Sequence, residues 1–218
     1  MSPIQEGRTT ETKIFVGYYK GDSNRKIRII DTQGFNDPGS SDNPTSSYNQ
    51  QIITDIMKKL TEVDHVDLFL ICLKGNINRV TNSLHYMLKL FRDIFGQKLD
   101  NEGKCSSDPS IFWNRCVIVF THLHMGKSDV KRRLREQNEL TDEQLAVRNV
   151  DDLACYFDLK EIRLEHIFID SFYETDDQVE KERFDKSLEK LHQMLLNKSK
   201  HPAMTKAMLM AYHDFKTG

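Results

Sequence analysis

Apolar residues along the chain alternate between a spacing of two and a spacing of three to four, and the switches divide it into elements. Residues 12–19, with Ile14, Phe15, Val16, Tyr18 and Tyr19, and residues 26–30, with Ile27, Ile29 and Ile30, read as strands. Gly21, Asp22, Ser23 and Asn24 supply a turn between them, which predicts an antiparallel hairpin. A polar loop over 36–46, carrying Pro38, Gly39 and Pro44, leads to Tyr48, Ile52, Ile53, Ile56, Met57 and Leu60, whose spacing fits one helix face. The run 66–73 is apolar nearly throughout, as expected of a parallel strand covered on both faces. Val80, Leu84, Met87, Leu88, Phe91, Ile94 and Phe95 mark a helix ended by Gly96, and 116–121 marks another buried strand. A polar helical stretch through Leu134, Leu145, Val147, Val150 and Leu153 precedes a short strand over 166–171. Phe184, Leu188, Leu191, Met194 and Leu195 mark a closing helix. The tail over 202–212 also reads as helical, and its methionines suit packing on the side of the domain.

The order β-β-α-β-α-β-α-β-α predicts an α/β three-layer sandwich, mostly parallel with one antiparallel hairpin, whose ligands bind at the carboxyl ends of the strands. Residues 31–34, 121–124 and 170–172 follow three of those strands, so they are expected to share one rim. No internal repeat or low-complexity tract interrupts the pattern.

Composition narrows the function classes. The chain has 218 residues, 38% hydrophobic and 29% charged, ordinary for one globular domain with a sizeable core. A net charge of −2 offers no electrostatic reason for nucleic acid, and the basic cluster over 127–135 includes Asp129 and suits a solvated helix face. Cys72, Cys105, Cys116 and Cys155 lack metal-ligand spacing, which points to a reducing compartment. Neither a membrane-spanning run nor a secretory leader is evident, so the expected location is cytoplasmic. Paired carboxylates, a nucleophile elbow and a metal cluster are all lacking, which leaves an unrelated α/β enzyme without support.

The chemistry-bearing motif is Asp31-Thr32-Gln33-Gly34 at the end of an apolar strand, the Asp-x-x-Gly with which P-loop GTPases meet magnesium and the terminal phosphate. A carboxylate suits a hard cation that keeps much of its hydration, and a glycine N–H lets a phosphate approach closely. The Gly-x-x-x-x-Gly-Lys-Ser/Thr loop that would cradle the phosphates does not precede it; only a short segment stands ahead of the first strand. Its strand would lie mid-sheet, between strands 26–30 and 66–73, so its loss exposes two apolar edges or forces those strands together. A truncated gene model or fragment is therefore expected over a natural pseudo-GTPase. Each charge-assisted hydrogen bond lost with the loop is worth roughly 1.5–3 kcal/mol, so the chain as written should bind nucleotide poorly.

With these positions in place, the chain resembles the avirulence-induced-gene type of GTPase, also called the immunity-associated or GIMAP family, whose relatives include septins and chloroplast envelope import GTPases. The resemblance spans most of the chain. Its most specific part runs from 66–73 through Asn78, Arg79, Val80 and Thr81 to Phe95, Gly96, Trp113 and 117–121. It implies a truncated G domain over 1–197, a C-terminal helical extension over 198–218, and GTP or GDP with Mg2+ as cofactors of the complete form. It also implies a homodimer or oligomer through the nucleotide face, and peripheral membrane association is left open.

Residue by residue, the resemblance gives Asp31 the magnesium, through water, and Gly34 the γ-phosphate. Thr9 or Thr10 resembles the switch threonine that completes the magnesium shell, and Thr10 is taken; the bland reading is a flexible tail. Thr121-His122-Leu123-His124 stands where Asn/Thr-Lys-x-Asp reads guanine. Chloroplast import relatives share the Thr-His start, so His122 would stack on the base. His124 cannot accept two parallel hydrogen bonds as a carboxylate does, so selection of guanine over adenine is weakened. Asp170 and Ser171 stand where the family closes the base pocket, and Ser171 joins Thr121 and His122 as a nucleotide contact. No catalytic residue is assigned. Phe35 replaces the glutamine that orients water in many small GTPases, which implies slow hydrolysis helped by dimerisation. The competing reading is a nucleotide-independent scaffold or interaction module that keeps the fold without the cradle.

Overall fold

The structure, a computed structural model, describes residues 11–34, 47–75, 80–99, 105–121, 142–169, 177–198 and 204–205. The chain forms two compact units, one drawn from 1–64 with 81–88 and the other from 65–80 with 89–218.

In the first unit β1 (Lys13–Tyr18) and β2 (Lys26–Asp31) pair antiparallel, Lys13 opposite Asp31 and Tyr18 opposite Lys26. The reversal is tight because Lys20 and Gly21 take left-handed backbone, with φ of 48° and 78°. Glycine adopts that conformation without steric cost, whereas lysine does so only at some expense. The Asp22 carboxylate accepts from the Asn24 N–H at 2.9 Å, an Asx turn that holds the loop. Helix α1 (Ser47–Leu60) buries Ile52, Ile56 and Leu60, four residues apart and hence on one face. Arg28 of the hairpin reaches Asp64 beyond α1 at 3.4 Å.

The second unit is built on β4 (Phe69–Lys74), β7 (Cys116–Thr121) and β8 (Glu165–Phe168), parallel and in the order β4-β7-β8. Ile71 pairs with Ile118, and Ile118 with His166. β7 is central and buried along almost its whole length, since helices cover both of its faces. On one face Leu191 and Met194 of α5 (Gln178–Lys198) pack on Val117, Val119 and Ile167. On the other, Phe69 meets Phe95 of α2 (Asn82–Phe95) at 4.8 Å and Phe112 of α3 (Pro109–Trp113) at 5.2 Å. Trp113 continues this aromatic layer to Phe157, at the end of α4 (Asp142–Tyr156), at 4.8 Å. Lys198 closes α5 by donating to the Asn114 carbonyl and pairing with Glu165 at 3.4 Å.

Hairpin, parallel sheet and alternating helices agree with the α/β expectation. β2 and β4 belong to separate sheets, and β4 is an edge strand of its own. Several particulars depart from the pattern. β4 is covered on one face only: Ile71 and Leu73 are buried, whereas Leu70 is 44% exposed. In α4 the inward residues are Ala146, Val150 and Leu153, and Val147 faces out. Met204–Thr205 forms β9, antiparallel to β3 (His65–Val66), where a helix was expected. The β5 (Gln97–Leu99) and β6 (Cys105–Ser107) pair and α3 are additional elements too short to show a period. No helix among the described residues is long and apolar enough to cross a membrane.

Candidate functional site

Asp31 is the last residue of β2, held in place by the ladder partner Lys13. Its position follows from the apolar run before it: the strand carries the carboxylate to its carboxyl end, where Thr32, Gln33 and Gly34 leave the sheet. Asp31 and Gly34 are exposed, while Thr32 and Gln33 are half-buried. An accessible carboxylate at a strand end is chemically suited to a hard cation that keeps most of its water shell. Among the described residues no group of three or more His, Cys, Asp or Glu side chains could hold a metal. A cation here would therefore depend on water, phosphate oxygens and hydroxyls for its other ligands.

Thr121 ends β7 in the second unit and is half-buried. Its hydroxyl donates to the Leu73 carbonyl at 3.4 Å, and its own carbonyl accepts from the Gly75 N–H at 2.7 Å. These bonds tie the carboxyl ends of β4 and β7 together, so the hydroxyl first serves the sheet. Lys74 and Gly75 share that rim with Thr121 and were not singled out in the sequence. The signal for them was present, because they end an apolar strand in a fold that binds ligands at strand ends. Ile169, directly after β8, is anchored by its N–H to the Phe120 carbonyl at 2.8 Å, which sets where the chain leaves β8.

Thr10, Phe35, His122, His124, Asp170 and Ser171 lie outside the described residues. Asp31 and Gly34 belong to the first unit and Thr121 to the second, each positioned by its own sheet.

No family model matches the chain, and no curated protein matches it. Solved structures do. Toc33 from Arabidopsis thaliana, in a dimerization-deficient arginine variant, superposes with a TM-score of 0.61 over 94% of this chain and 76% of that one, at 14% identity. A structure concerned with the chloroplast translocon components atToc33 and psToc159, for which dimerization is important for GTPase activity, gives 0.59 at 16% identity, covering 94% and 74%. The chain therefore has the α/β fold of these GTPase domains.

Proposed function

We propose that this chain is a guanine-nucleotide-binding domain of the GIMAP type, a slow switch that takes GTP or GDP with Mg2+ in its complete form. The single observation that carries the reading is the Asp31-to-Gly34 motif at the carboxyl end of β2 in a fold shared with Toc GTPase domains. In this reading Asp31 and Thr10 serve the magnesium and Gly34 the γ-phosphate. Thr121, His122 and Ser171 line the base. Bound Mg2+ would neutralise phosphate charge, while Asp31 orients its water shell. Phe35 cannot position water, so hydrolysis is slow and gains from dimerisation, for which we assign the nucleotide face; support comes from the translocon components for which dimerization is important for GTPase activity. The protein works in the cytoplasm. The reading requires a phosphate-binding loop that residues 1–218 do not contain, and it expects the endogenous product to carry one. G domain and extension are taken to divide at 197 and 198.

The test is the intact mass and amino-terminal sequence of the endogenous protein, followed by fluorescent GDP titration of that product with and without Mg2+. A product carrying Gly-x-x-x-x-Gly-Lys-Ser/Thr, with Mg2+-dependent binding weakened at least tenfold by Asp31→Ala, supports the switch. A 25.5 kDa product that binds no nucleotide would sink it. That outcome leaves the second reading, a nucleotide-independent interaction module, which Phe35, His124 and the exposed apolar hairpin favour.

A further inference from the structure

The outer edge of β1 has no paired strand among the described residues. The Tyr19 N–H donates to the Arg25 carbonyl at 2.8 Å, which fixes the alternation of the ladder. Gly17 with Ile27, Phe15 with Ile29 and Lys13 with Asp31 are then the hydrogen-bonded pairs. The main-chain groups of Ile14, Val16 and Tyr18 consequently point away from β2, and among the described residues no strand lies against them. Natural edges are guarded by charge, proline or a bulge. Residues 14–19 carry none of these, and Phe15, Val16 and Tyr18 are 53%, 58% and 55% exposed. A two-stranded ribbon with both faces exposed is marginal in water and gains most from more strands.

We propose that a second copy of this chain covers this edge, β1 pairing antiparallel with β1 about a two-fold axis through Val16 to make a four-stranded sheet. The register is set by complementarity. With Val16 opposite Val16 of the partner subunit, Ile14 faces Tyr18 of the partner subunit and Phe15 faces Gly17 of the partner subunit. Outward-pointing residues then meet outward-pointing residues, so Ile14, Val16 and Tyr18 exchange their main-chain hydrogen bonds across the axis. Ile with Tyr is a favourable β-branched and aromatic pair. Phe15 lies over a glycine at a non-hydrogen-bonded position, where side chains approach most closely, and the space above Gly17 is open to 4 Å. A shift by two residues sets Gly17 against its own copy or Lys13 against Gly17, and a shift by one turns each face over. No nucleotide-binding group takes part, so the interface stands apart from the proposed switch.

The experiment is sedimentation velocity of the full chain in nucleotide-free buffer from about 1 to 200 µM, for wild type, Val16→Lys and Ile29→Lys, with circular dichroism to confirm folding. Val16→Lys places like charges at the axis, whereas Ile29, equally exposed, lies on β2 away from the paired edge. A wild-type dimer whose Kd rises at least tenfold in Val16→Lys but less than threefold in Ile29→Lys is expected. A monomeric wild type, a dimer indifferent to Val16→Lys, or equal losses in both folded variants would overturn the edge pairing. Should Val16→Lys fail to fold, slowed exchange of the wild-type Val16 amide at the high concentration decides: protection supports the pairing and unchanged exchange overturns it.

Discussion

At Gly96 the chain turns from α2 into β5, and a side chain there has nowhere to go. A Cβ would stand 2.5 Å from the Arg92 carbonyl oxygen and 3.2 Å from both the Asp108 oxygen and the Pro109 Cα, all backbone atoms. Gly96 also donates to Arg92 at 2.7 Å and accepts from the Asp108 N–H at 2.6 Å, so it cannot shift without breaking both bonds. Gly96→Ala should therefore cost roughly 1–3 kcal/mol, seen as a lower urea midpoint with unchanged slope. Trp113 presents the opposite case. It is almost fully buried, yet among the described residues its indole N–H has no hydrogen-bond partner, so part of its packing gain is offset by a desolvated donor. Trp113→Phe should destabilise by no more than about 1.5 kcal/mol, well below the roughly 3–5 kcal/mol of a Trp→Ala truncation, in the same urea assay. The sequence marked Gly96 as a helix stop, and only the close approach of Asp108 and Pro109 shows why no other residue fits. It marked Asp31 by motif and Thr121 by position, but the use of the Thr121 hydroxyl on Leu73 depends on a strand 48 residues away in sequence.

Elements with a long, uniform pattern were legible, and the short ones were not. α3 has five residues, too few for a helical period, but its start is written locally. The Asp108 carboxylate accepts from the Ser110 N–H at 3.1 Å and hydroxyl at 2.5 Å, with Pro109 at the first turn. Asp108→Ala should cost about 1 kcal/mol, measured by thermal or urea unfolding. β8 carries a pH dependence. Burial lowers the His166 pKa from its ordinary 6.5, with Lys190 and Arg163 adding to the shift and the Leu164 backbone and Asp151 opposing it. Between the folded and unfolded values the unfolded chain binds more protons, so stability rises with pH there. His166→Asn should flatten the loss of stability that wild type shows as pH falls below 6.5, in urea titrations across pH 5–8. β4 was legible as a strand but its cover was not: an apolar run cannot say whether one face or both will be met by a helix.

Across the molecule, burial is uneven. Val117, Ile118 and Phe120 of β7 are fully enclosed, while β1 and β2 bury none of their residues. Native-state hydrogen exchange should accordingly find the slowest amides in β7 and much faster ones at Phe15 and Gly17 inside the hairpin ladder, at protein concentrations too low for self-association. Equal protection of the two would contradict the separation into a two-stranded and a three-stranded sheet. The sequence by itself determined the α/β order, the hairpin, the buried faces of α1 and α2 and the Asp-x-x-Gly at a strand end, because these rest on local periodicity and on turn and cap chemistry within a few residues. Only the tertiary structure decided the sheet orders, the bare face at Leu70, the β3 and β9 pairing and the unguarded edge of β1. Each of these depends on which distant segment arrives alongside, and strand pairing is a contact between residues far apart in the chain that no local spacing encodes.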